Sequence, residues 1–216
     1  MKAVIVGASG LVGSSLIKKL LADPTIEKVI SFSRRSLEIS HPKLEQMIAS
    51  GLEELDNFSN QLSGDLYFCC LGTTIKTART KENFKKVDLD AVIKFAEIAK
   101  KHYAKSFAVI SSMGADSNSI FFYNKTKGQM EEAISSLGLT SVSIFRPSLL
   151  IGERAEKRVA ESLAIKTFHA LEVVLPTKLK LSLGTSVDAL SSKMLAAAKS
   201  MKAGVEILQA QEIELV

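Results

Sequence analysis

The stretch of sequence that decides the fold is KAVIVGASGLVG, residues 2–13 of the 216-residue chain. Its first five residues form a short, largely apolar run that is typical of a buried strand. Glycines follow at positions 7, 10 and 13, and apolar residues with helical spacing continue from Leu11 to Leu21, until Asp23-Pro24 stops the helix. A strand, a glycine turn and a helix in this order favour the first unit of a parallel α/β sheet.

The spacing of these glycines predicts a dinucleotide-binding turn. Gly7 permits the tight turn, Gly10 lets the backbone approach a pyrophosphate, and Gly13 lets helix and strand pack closely. Free amides at the helix start, helped by the helix dipole, then hold the anion. The residues expected to bind the cofactor here are Gly7, Ser9, Gly10, Leu11, Val12 and Gly13. The alternative is a glycine turn with a purely structural role.

The remainder of the chain alternates predicted strands with predicted helices. The expected strands are residues 29–32, 44–49, 66–71, 106–110, 142–145 and 205–208. The expected helices are residues 52–58, 81–102, 123–137, 160–174 and 187–199. This alternation predicts the α/β class, with a single Rossmann-type doubly wound parallel sheet and helices on both faces. We expect one domain over residues 1–216, in which residues 148–184 form an insertion on the substrate side of the sheet.

The composition excludes several classes of protein. Hydrophobic residues make up 46% and charged residues 24%, which excludes a disordered tail, a collagen-like repeat and a coiled coil. No apolar run approaches the roughly 20 residues that a membrane helix needs, and no targeting segment precedes the first strand, so we expect a cytoplasmic protein. The adjacent Cys69 and Cys70 point to opposite faces of a strand and are expected to be buried rather than disulfide-bonded. No cysteine and histidine spacing predicts a metal site.

The net charge of +5 is concentrated in one segment, residues 76–105, which holds nine basic and four acidic residues. A charge run of this kind is typical of solvated helix faces. The alternatives are an anionic ligand or weak contact with nucleic acid, and we expect no nucleic-acid partner.

The end of the second predicted strand indicates which dinucleotide binds. Proteins that bind NAD usually place a carboxylate there for the ribose 2′-hydroxyl, whereas this chain has Ser33-Arg34-Arg35. A carboxylate repels a phosphate, and a guanidinium binds one through two hydrogen bonds. Arg34 and Arg35 therefore predict a preference for NADP(H) over NAD(H); the alternative is a pair of solvated arginines.

A serine, a tyrosine and a lysine form the predicted catalytic set. Ser111-Ser112 comes directly after the strand 106–110, and Tyr123 lies eleven residues after Ser112. Lys127 lies on the same helix face as Tyr123 because residues i and i+4 are neighbours. A tyrosine can donate the proton needed to reduce a ketone, a nearby ammonium favours the phenolate, and a serine hydroxyl can orient the carbonyl. Ser111 is the second candidate for the serine role. The alternative is a packed tyrosine beside a solvated lysine.

Together these motifs resemble the short-chain dehydrogenase/reductase superfamily. Four further stretches are similar to its atypical members grouped with the Tat-interacting protein: FCCLGTT at residues 68–74, Val87-Asp88, SSMGAD at residues 111–116, and Phe145-Arg146-Pro147. One departure concerns the fourth catalytic residue of common members, an asparagine on a helix, which has no clear counterpart near Val87-Asp88.

The resemblance implies further cofactor contacts. Leu71, Gly72 and Thr73 would line the cofactor after the fourth strand, Ser111 would lie beside it, Lys127 would touch the nicotinamide ribose, and Pro147 and Ser148 would border the nicotinamide. It also implies that the activity is that of an oxidoreductase, and it links the group to protein partners and redox sensing.

The sequence therefore predicts an NADP(H)-dependent oxidoreductase acting on a small carbonyl or alcohol substrate. The alternative is a non-catalytic NADP(H)-binding redox sensor that regulates a protein partner. A nucleotide-sugar epimerase fits less well, because little chain follows Pro147 for a sugar-binding lobe.

Two predicted loops at the ligand edge are basic, and they suggest an anionic substrate. Their residues are Lys76, Arg79 and Lys81 in one loop, and Arg154, Lys157 and Arg158 in the other. The alternative is a set of solvated loop charges. The predicted helix at residues 160–174 is expected to pack over the active site, or else to bind a partner or a membrane surface.

Overall fold

The computed structural model describes residues 1–151 and 184–215. The strands of this part of the chain are β1 (Lys2–Val6), β2 (Lys28–Ser33), β3 (Leu44–Ile48), β4 (Leu66–Cys69), β5 (Ser106–Ile110), β6 (Ser141–Arg146), β7 (Leu150–Ile151), β8 (Thr185–Ser186) and β9 (Gly204–Gln209). The α-helices are α1 (Leu11–Ala22), α2 (Ile75–Ala78), α3 (Lys81–Lys85), α4 (Ala91–Lys101), α5 (Phe122–Ser136), α6 (Val187–Ser200) and α7 (Ala210–Glu214).

Seven of the strands in the described residues form one parallel sheet in the order β3-β2-β1-β4-β5-β6-β9. From β1 the chain adds β2 and β3 on one side of the sheet. It then crosses back to β4 and adds β5, β6 and β9 on the other side, so the strand order reverses between β1 and β4. Val6 pairs with Phe32 of β2 and with Cys69 of β4. In sheets of this kind ligands bind in the crevice at the carboxyl ends of the strands where the order reverses. The predicted doubly wound parallel sheet is confirmed.

Helices cover both faces of the sheet, because successive residues of each strand point to opposite sides. Ile5 belongs to a buried cluster with Leu16 of α1 and Met194 of α6. Its neighbour Val6 belongs to the opposite cluster, with Phe95 of α4 and with side chains of α5. The near-continuous apolar runs of the central strands reflect this burial on both faces.

The helix predicted at residues 81–102 is present in the structure, but it contains a π-helical turn. It consists of α3, a π-helical turn at Lys86–Asp90, and α4. The apolar period near 3.6 continues through the π turn, since Phe84 before it and Val92 after it are both fully buried. Periodicity alone therefore does not reveal the extra residue that a π turn adds to a helix. A π turn inside a helix is often found at a functional site.

Other boundaries differ by a few residues. The expected strand at 66–71 ends at Cys69, and the short helix expected at 52–58 is a 3₁₀ turn, Leu52–Asp56. The start of α6 is capped, because the Ser186 side chain accepts a hydrogen bond from the Ala189 amide. Sequence reasoning missed α7, whose start carries a capping box between Gln209 and Glu212.

The two ends of the predicted insertion at residues 148–184 meet, because β7 and β8 pair in parallel. The rest of that segment, including the predicted helix at 160–174, lies outside the described residues. Within the described residues, no helix has both the length and the apolar character that crossing a bilayer requires.

Candidate active site

The glycine turn lies directly against the chain that leaves β4. Gly7 has φ +79, in the left-handed region, and a Cβ on it would lie 2.5 Å from the carbonyl carbon and oxygen of Cys70. A Cβ on Gly13 would lie 2.2 Å from the Gly7 carbonyl oxygen, and one on Gly10 would lie 3.2 Å from the same atom. A side chain at position 7 or 13 would therefore displace backbone, while position 10 is less crowded.

The start of α1 presents uncapped amides to this edge of the sheet. Gly10 is the N-cap residue, and no side chain in the described part of the chain caps the first turn. The first amides of a helix have no partner within the helix, so those of α1 are available to an anion. Ser9 is exposed, whereas the Val12 side chain is part of the core and Leu11 is half-buried. These predicted cofactor residues would therefore contribute mainly backbone groups.

Arg34 and Arg35 leave β2 at the same edge as the glycine turn. Both side chains are exposed, and the Ser33 hydroxyl donates a hydrogen bond to the Arg35 carbonyl oxygen at 2.7 Å. Because β1 and β2 are parallel neighbours, the chain that carries the arginines leaves the sheet beside the glycine turn.

The loop after β4 is attached to the glycine turn at one end and to the π turn at the other. The Cys70 amide donates to the Val6 carbonyl oxygen at 3.0 Å, and the Thr73 amide donates to Asp88 Oδ2 at 2.8 Å. Leu71 packs partly against the core, while Gly72 is exposed. The predicted cofactor loop thus lies where the strand order reverses.

Ser112 lies in the loop after β5 and is held there by its neighbours. The Ser111 amide donates to the Phe145 carbonyl oxygen at 2.7 Å, and the Met113 amide donates to the Pro147 carbonyl oxygen at 3.0 Å. The Ser112 hydroxyl oxygen is shielded from solvent and has no hydrogen-bond partner among the described residues. An unsatisfied buried hydroxyl is costly, so this group is a candidate to meet a ligand.

Tyr123 and Lys127 lie one turn apart on α5, as their spacing predicts. The Tyr123 ring packs against buried Phe84, with 5.5 Å between ring centroids. Lys127 is buried, with 3% of its side chain exposed, and its Nζ lies 2.8 Å from Asp88 Oδ1. That oxygen accepts no hydrogen bond of regular geometry, so the contact is best described as an ion pair.

A second buried charge cluster lies one turn further along α5. Glu131 accepts hydrogen bonds from Arg146 Nε at 3.0 Å and from Arg146 Nη2 at 2.6 Å, and a third from the Ser111 hydroxyl at 2.5 Å. The bond to Glu131 raises the pKa of Arg146 above its ordinary value. Ser111 is thus already used inside the protein, which favours Ser112 over Ser111 for the carbonyl role.

Sequence reasoning assigned no role in the site to three residues that shape it. Asp88 and Glu131 are carboxylates on the apolar faces of amphipathic segments. A charged residue at a position where the pattern expects an apolar one is the signal that could have identified them. Gly128 was also missed: a Cβ on it would lie 2.1 Å from the Ser117 amide nitrogen. Only glycine at this position lets the loop after β5 pass directly against α5.

The chain beyond β6 closes one side of the site. Pro147 is buried, and the Ser148 amide and hydroxyl both lie 3.0 Å from the Thr185 hydroxyl oxygen. The predicted nicotinamide contacts therefore lie where the segment 148–184 begins and ends.

The basic residues near the site are only partly described. Lys76, Arg79 and Lys81 are exposed on α2, α3 and the turn between them, and Lys81 Nζ lies 5.3 Å from the centre of the Phe122 ring. Further along the basic segment, Lys94 pairs with carboxylates, as expected of a solvated helix face. Arg154, Lys157 and Arg158 lie outside the described residues.

The two cysteines are free thiols. Burial raises the pKa of the Cys69 thiol to about 12, and burial also raises the pKa of Cys70 well above its ordinary value. Neither thiol is therefore a reactive nucleophile at neutral pH. Among the described residues, no group of three histidine, cysteine or carboxylate side chains could hold a metal ion.

Comparison with known protein families and sequences gives a consistent result. The model of the NAD(P)H-binding family matches residues 7–171. Protein HTATIP2 of Rattus norvegicus is 39% identical over 171 residues, which cover 77% of this chain and 70% of that protein. Protein FMP52, mitochondrial, of Candida albicans is 37% identical over 161 residues, which cover 72% of this chain and 70% of that protein.

Solved structures with the same fold share little sequence with this chain. An oxidoreductase of the short-chain dehydrogenase/reductase family from Burkholderia thailandensis has a TM-score of 0.71 at 16% identity, over 99% of this chain and 92% of that one. MoeE5, solved in complex with UDP-glucose and NAD, has a TM-score of 0.72 at 16% identity, over 97% of this chain and 75% of that one. At these identities the likeness shows the fold alone.

Proposed function

The chain belongs to the family of NAD(P)H-binding proteins and has a fold of the short-chain dehydrogenase/reductase type, and on that premise we propose that it is an NADP(H)-dependent oxidoreductase of a small carbonyl or alcohol substrate. One observation carries the proposal. At the carboxyl edge of the sheet, a buried, ion-paired Lys127 lies one helical turn from Tyr123, and the loop after β5 holds the Ser112 hydroxyl, which has no hydrogen-bond partner within the described residues.

The residues at the glycine turn fit the cofactor. The uncapped first turn of α1 offers amides to the diphosphate, and the bare Gly10 leaves room for it to approach. The exposed Arg34 and Arg35 supply guanidinium groups for the 2′-phosphate, which is the basis for proposing NADP(H) over NAD(H). Leu71, Gly72 and Thr73 would cover the cofactor from the β4 side.

The side chains at the site suit reduction of a carbonyl. When bound, the nicotinamide supplies the hydride that adds to the carbonyl carbon. The Ser112 hydroxyl donates a hydrogen bond to the carbonyl oxygen and polarises it. Tyr123 gives its hydroxyl proton to that oxygen, so that the product is an alcohol, and the Lys127 ammonium stabilises the phenolate that remains.

A screen of carbonyl substrates with NADPH, read as loss of its absorbance, tests this proposal. We expect turnover of at least one ketone or aldehyde, abolished by Tyr123→Phe with NADPH affinity retained. Tyr103→Phe is the matched control, because Tyr103 is 92% exposed and lies after α4, and it should leave turnover unchanged. Turnover that survives in Tyr123→Phe would remove the proposed proton donor.

A second candidate function, a non-catalytic NADP(H)-dependent sensor, is favoured by the loop before Tyr123. Ile120 and Phe121 are 92% and 67% exposed, and neighbouring exposed apolar side chains are typical of a surface that meets a partner. NADPH binding without turnover of any carbonyl in the screen would favour the sensor.

The substrate class and the compartment also belong to the proposal. The exposed Lys76, Arg79 and Lys81 beside the site favour an anionic substrate. A cytoplasmic location is still our expectation, although the FMP52 relatives carry the word mitochondrial in their names.

A further inference from the structure

Asp88 connects the loop after β4 with the lysine of the proposed catalytic pair. It lies on the π turn between α3 and α4, and only 1% of its side chain is exposed. One carboxylate oxygen accepts the Thr73 amide at 2.8 Å, and the other lies 2.8 Å from Lys127 Nζ. A single buried side chain therefore contacts a predicted cofactor residue and a predicted catalytic residue.

Packing alone does not account for a carboxylate at this position. Phe84 and Val92, four residues before and after Asp88, are fully buried in the core, so an apolar side chain would suit the same face. Burying a carboxylate is costly unless it is paired and hydrogen-bonded. The two contacts of Asp88 meet this requirement, and they leave the pair with Lys127 electrically neutral.

We propose that Asp88 is a positioning residue, which keeps Lys127 oriented towards Tyr123 and ties that orientation to the conformation of the cofactor loop through Thr73. A movement of the loop after β4 would move Asp88, and Lys127 would follow. The catalytic part of this inference rests on the proposed function, whereas the coupling between the loop and Lys127 does not.

Three other ionisable groups of the described residues lie near the pair. Tyr123 lies one turn before Lys127 on α5, and Glu131, one turn after it, is held by Arg146. Cys69, at the end of β4, is close enough to sense both charges, but burial raises the pKa of its thiol to about 12, so it stays neutral. Within the described residues, Asp88 is the carboxylate that pairs with Lys127.

The central variant is Asp88→Asn, which keeps an oxygen for the Thr73 amide and removes the charge. Without the carboxylate, the Lys127 ammonium is no longer held in place, so it stabilises the phenolate less. We expect kcat to fall by about 100-fold, as for a misplaced catalytic group. The rising limb of the pH profile for alcohol oxidation should move to higher pH.

Asp90→Asn is the matched control, since Asp90 lies on the same π turn and is exposed. It should leave kcat, the pH profile and NADPH affinity unchanged. A merely structural role for Asp88 would lower the melting temperature without moving the pH profile. Asp88→Asn with the pH profile and kcat of the unmodified protein would overturn the positioning role.

Two measurements that need no turnover test the coupling itself. Asp88→Ala also loses the Thr73 contact, and it should raise the Kd for NADPH by about tenfold, more than Asp88→Asn does. In thermal unfolding, Asp88→Asn and Lys127→Met should each lower the melting temperature, and the double variant should recover part of the loss. Additive losses, or equal NADPH affinities of the two Asp88 variants, would overturn the coupling. If neither the unmodified protein nor any variant turns over a carbonyl, the proposed function fails. The NADPH affinities and the melting temperatures still decide the coupling in that case.

Discussion

Replacing Gly7 by alanine should damage both the stability of the protein and its affinity for NADPH. The new Cβ would lie 2.5 Å from the Cys70 carbonyl group, which is backbone and has no flexible side chain to move aside. Gly7 also has φ +79. The left-handed conformation costs about 1–2 kcal/mol for alanine, and the overlap adds about 1–3 kcal/mol, the usual cost of overpacking.

The expected total for Gly7→Ala is therefore about 2–5 kcal/mol. At about 2–4 °C per kcal/mol for a chain of this size, the melting temperature should fall by roughly 4–20 °C. Gly138→Ala is the matched control, because Gly138 has φ +71 but a Cβ there would meet nothing within 4 Å. This control isolates the conformational cost, so its melting temperature should fall by only about 2–8 °C.

Calorimetry with and without NADPH measures both effects. Both variants place an alanine in the left-handed conformation, and in both the alanine lowers the entropy of the unfolded chain. Their difference therefore reports the contact between the glycine turn and the chain after β4. Gly7→Ala should also lose most of the stabilisation that NADPH provides, whereas Gly138→Ala should keep it. Equal melting temperatures and equal responses to NADPH would refute the close approach of Gly7 to Cys70 and its part in the cofactor site.

Two further predictions concern surface charges. Replacing Arg34 and Arg35 together by serine should raise the Kd for NADPH by about 10- to 100-fold, because a hydrogen bond to a charged group is worth about 1.5–3 kcal/mol; titration should find the Kd for NADH unchanged. An equal loss of affinity for NADPH and NADH would contradict the 2′-phosphate assignment. Asp23 has its pKa lowered from 3.8 to about 2 by the hydrogen bond from Lys199 and then by that from Thr25. Since the pKa of the folded state is the lower one, Asp23 stabilises the protein above about pH 4, and this contribution is lost as the pH falls towards 2. Chemical unfolding at several pH values should find Asp23→Asn less stable than the unmodified protein at neutral pH and equally stable near pH 2; a constant difference would contradict the assignment.

Buried charge is concentrated around the proposed site. Asp88 with Lys127, and Glu131 with Arg146, form two ion pairs at the carboxyl edge of the sheet. Removing one member of a buried pair destabilises a protein because it leaves the other charge uncompensated. Variants of these residues therefore need a stability measurement beside every activity measurement.

Local patterns predicted the elements that position the site. The glycine spacing at positions 7, 10 and 13 predicted the turn, and the i, i+4 spacing of Tyr123 and Lys127 predicted their shared helix. The division of the helix at residues 81–102 was not predictable from periodicity, because the apolar positions on both sides of the π turn remain in register with the core. A helix of only five residues, such as α7, also gives too short a pattern to recognise without reading its capping box.

The sequence by itself determined the alternation of strands and helices, the turn after the first strand and the residue types available for chemistry, because each of these is encoded in a short stretch of the chain. Only the tertiary structure decided how those residues are used. Asp88 pairs with Lys127, and Ser111 is held by Glu131 while Ser112 has no partner among the described residues. These partners are far apart in sequence, and the packing of α5 against β5 and the π turn brings them together. Because a buried charge or hydroxyl must find its partner in three dimensions, no spacing along the chain reveals which one it will be.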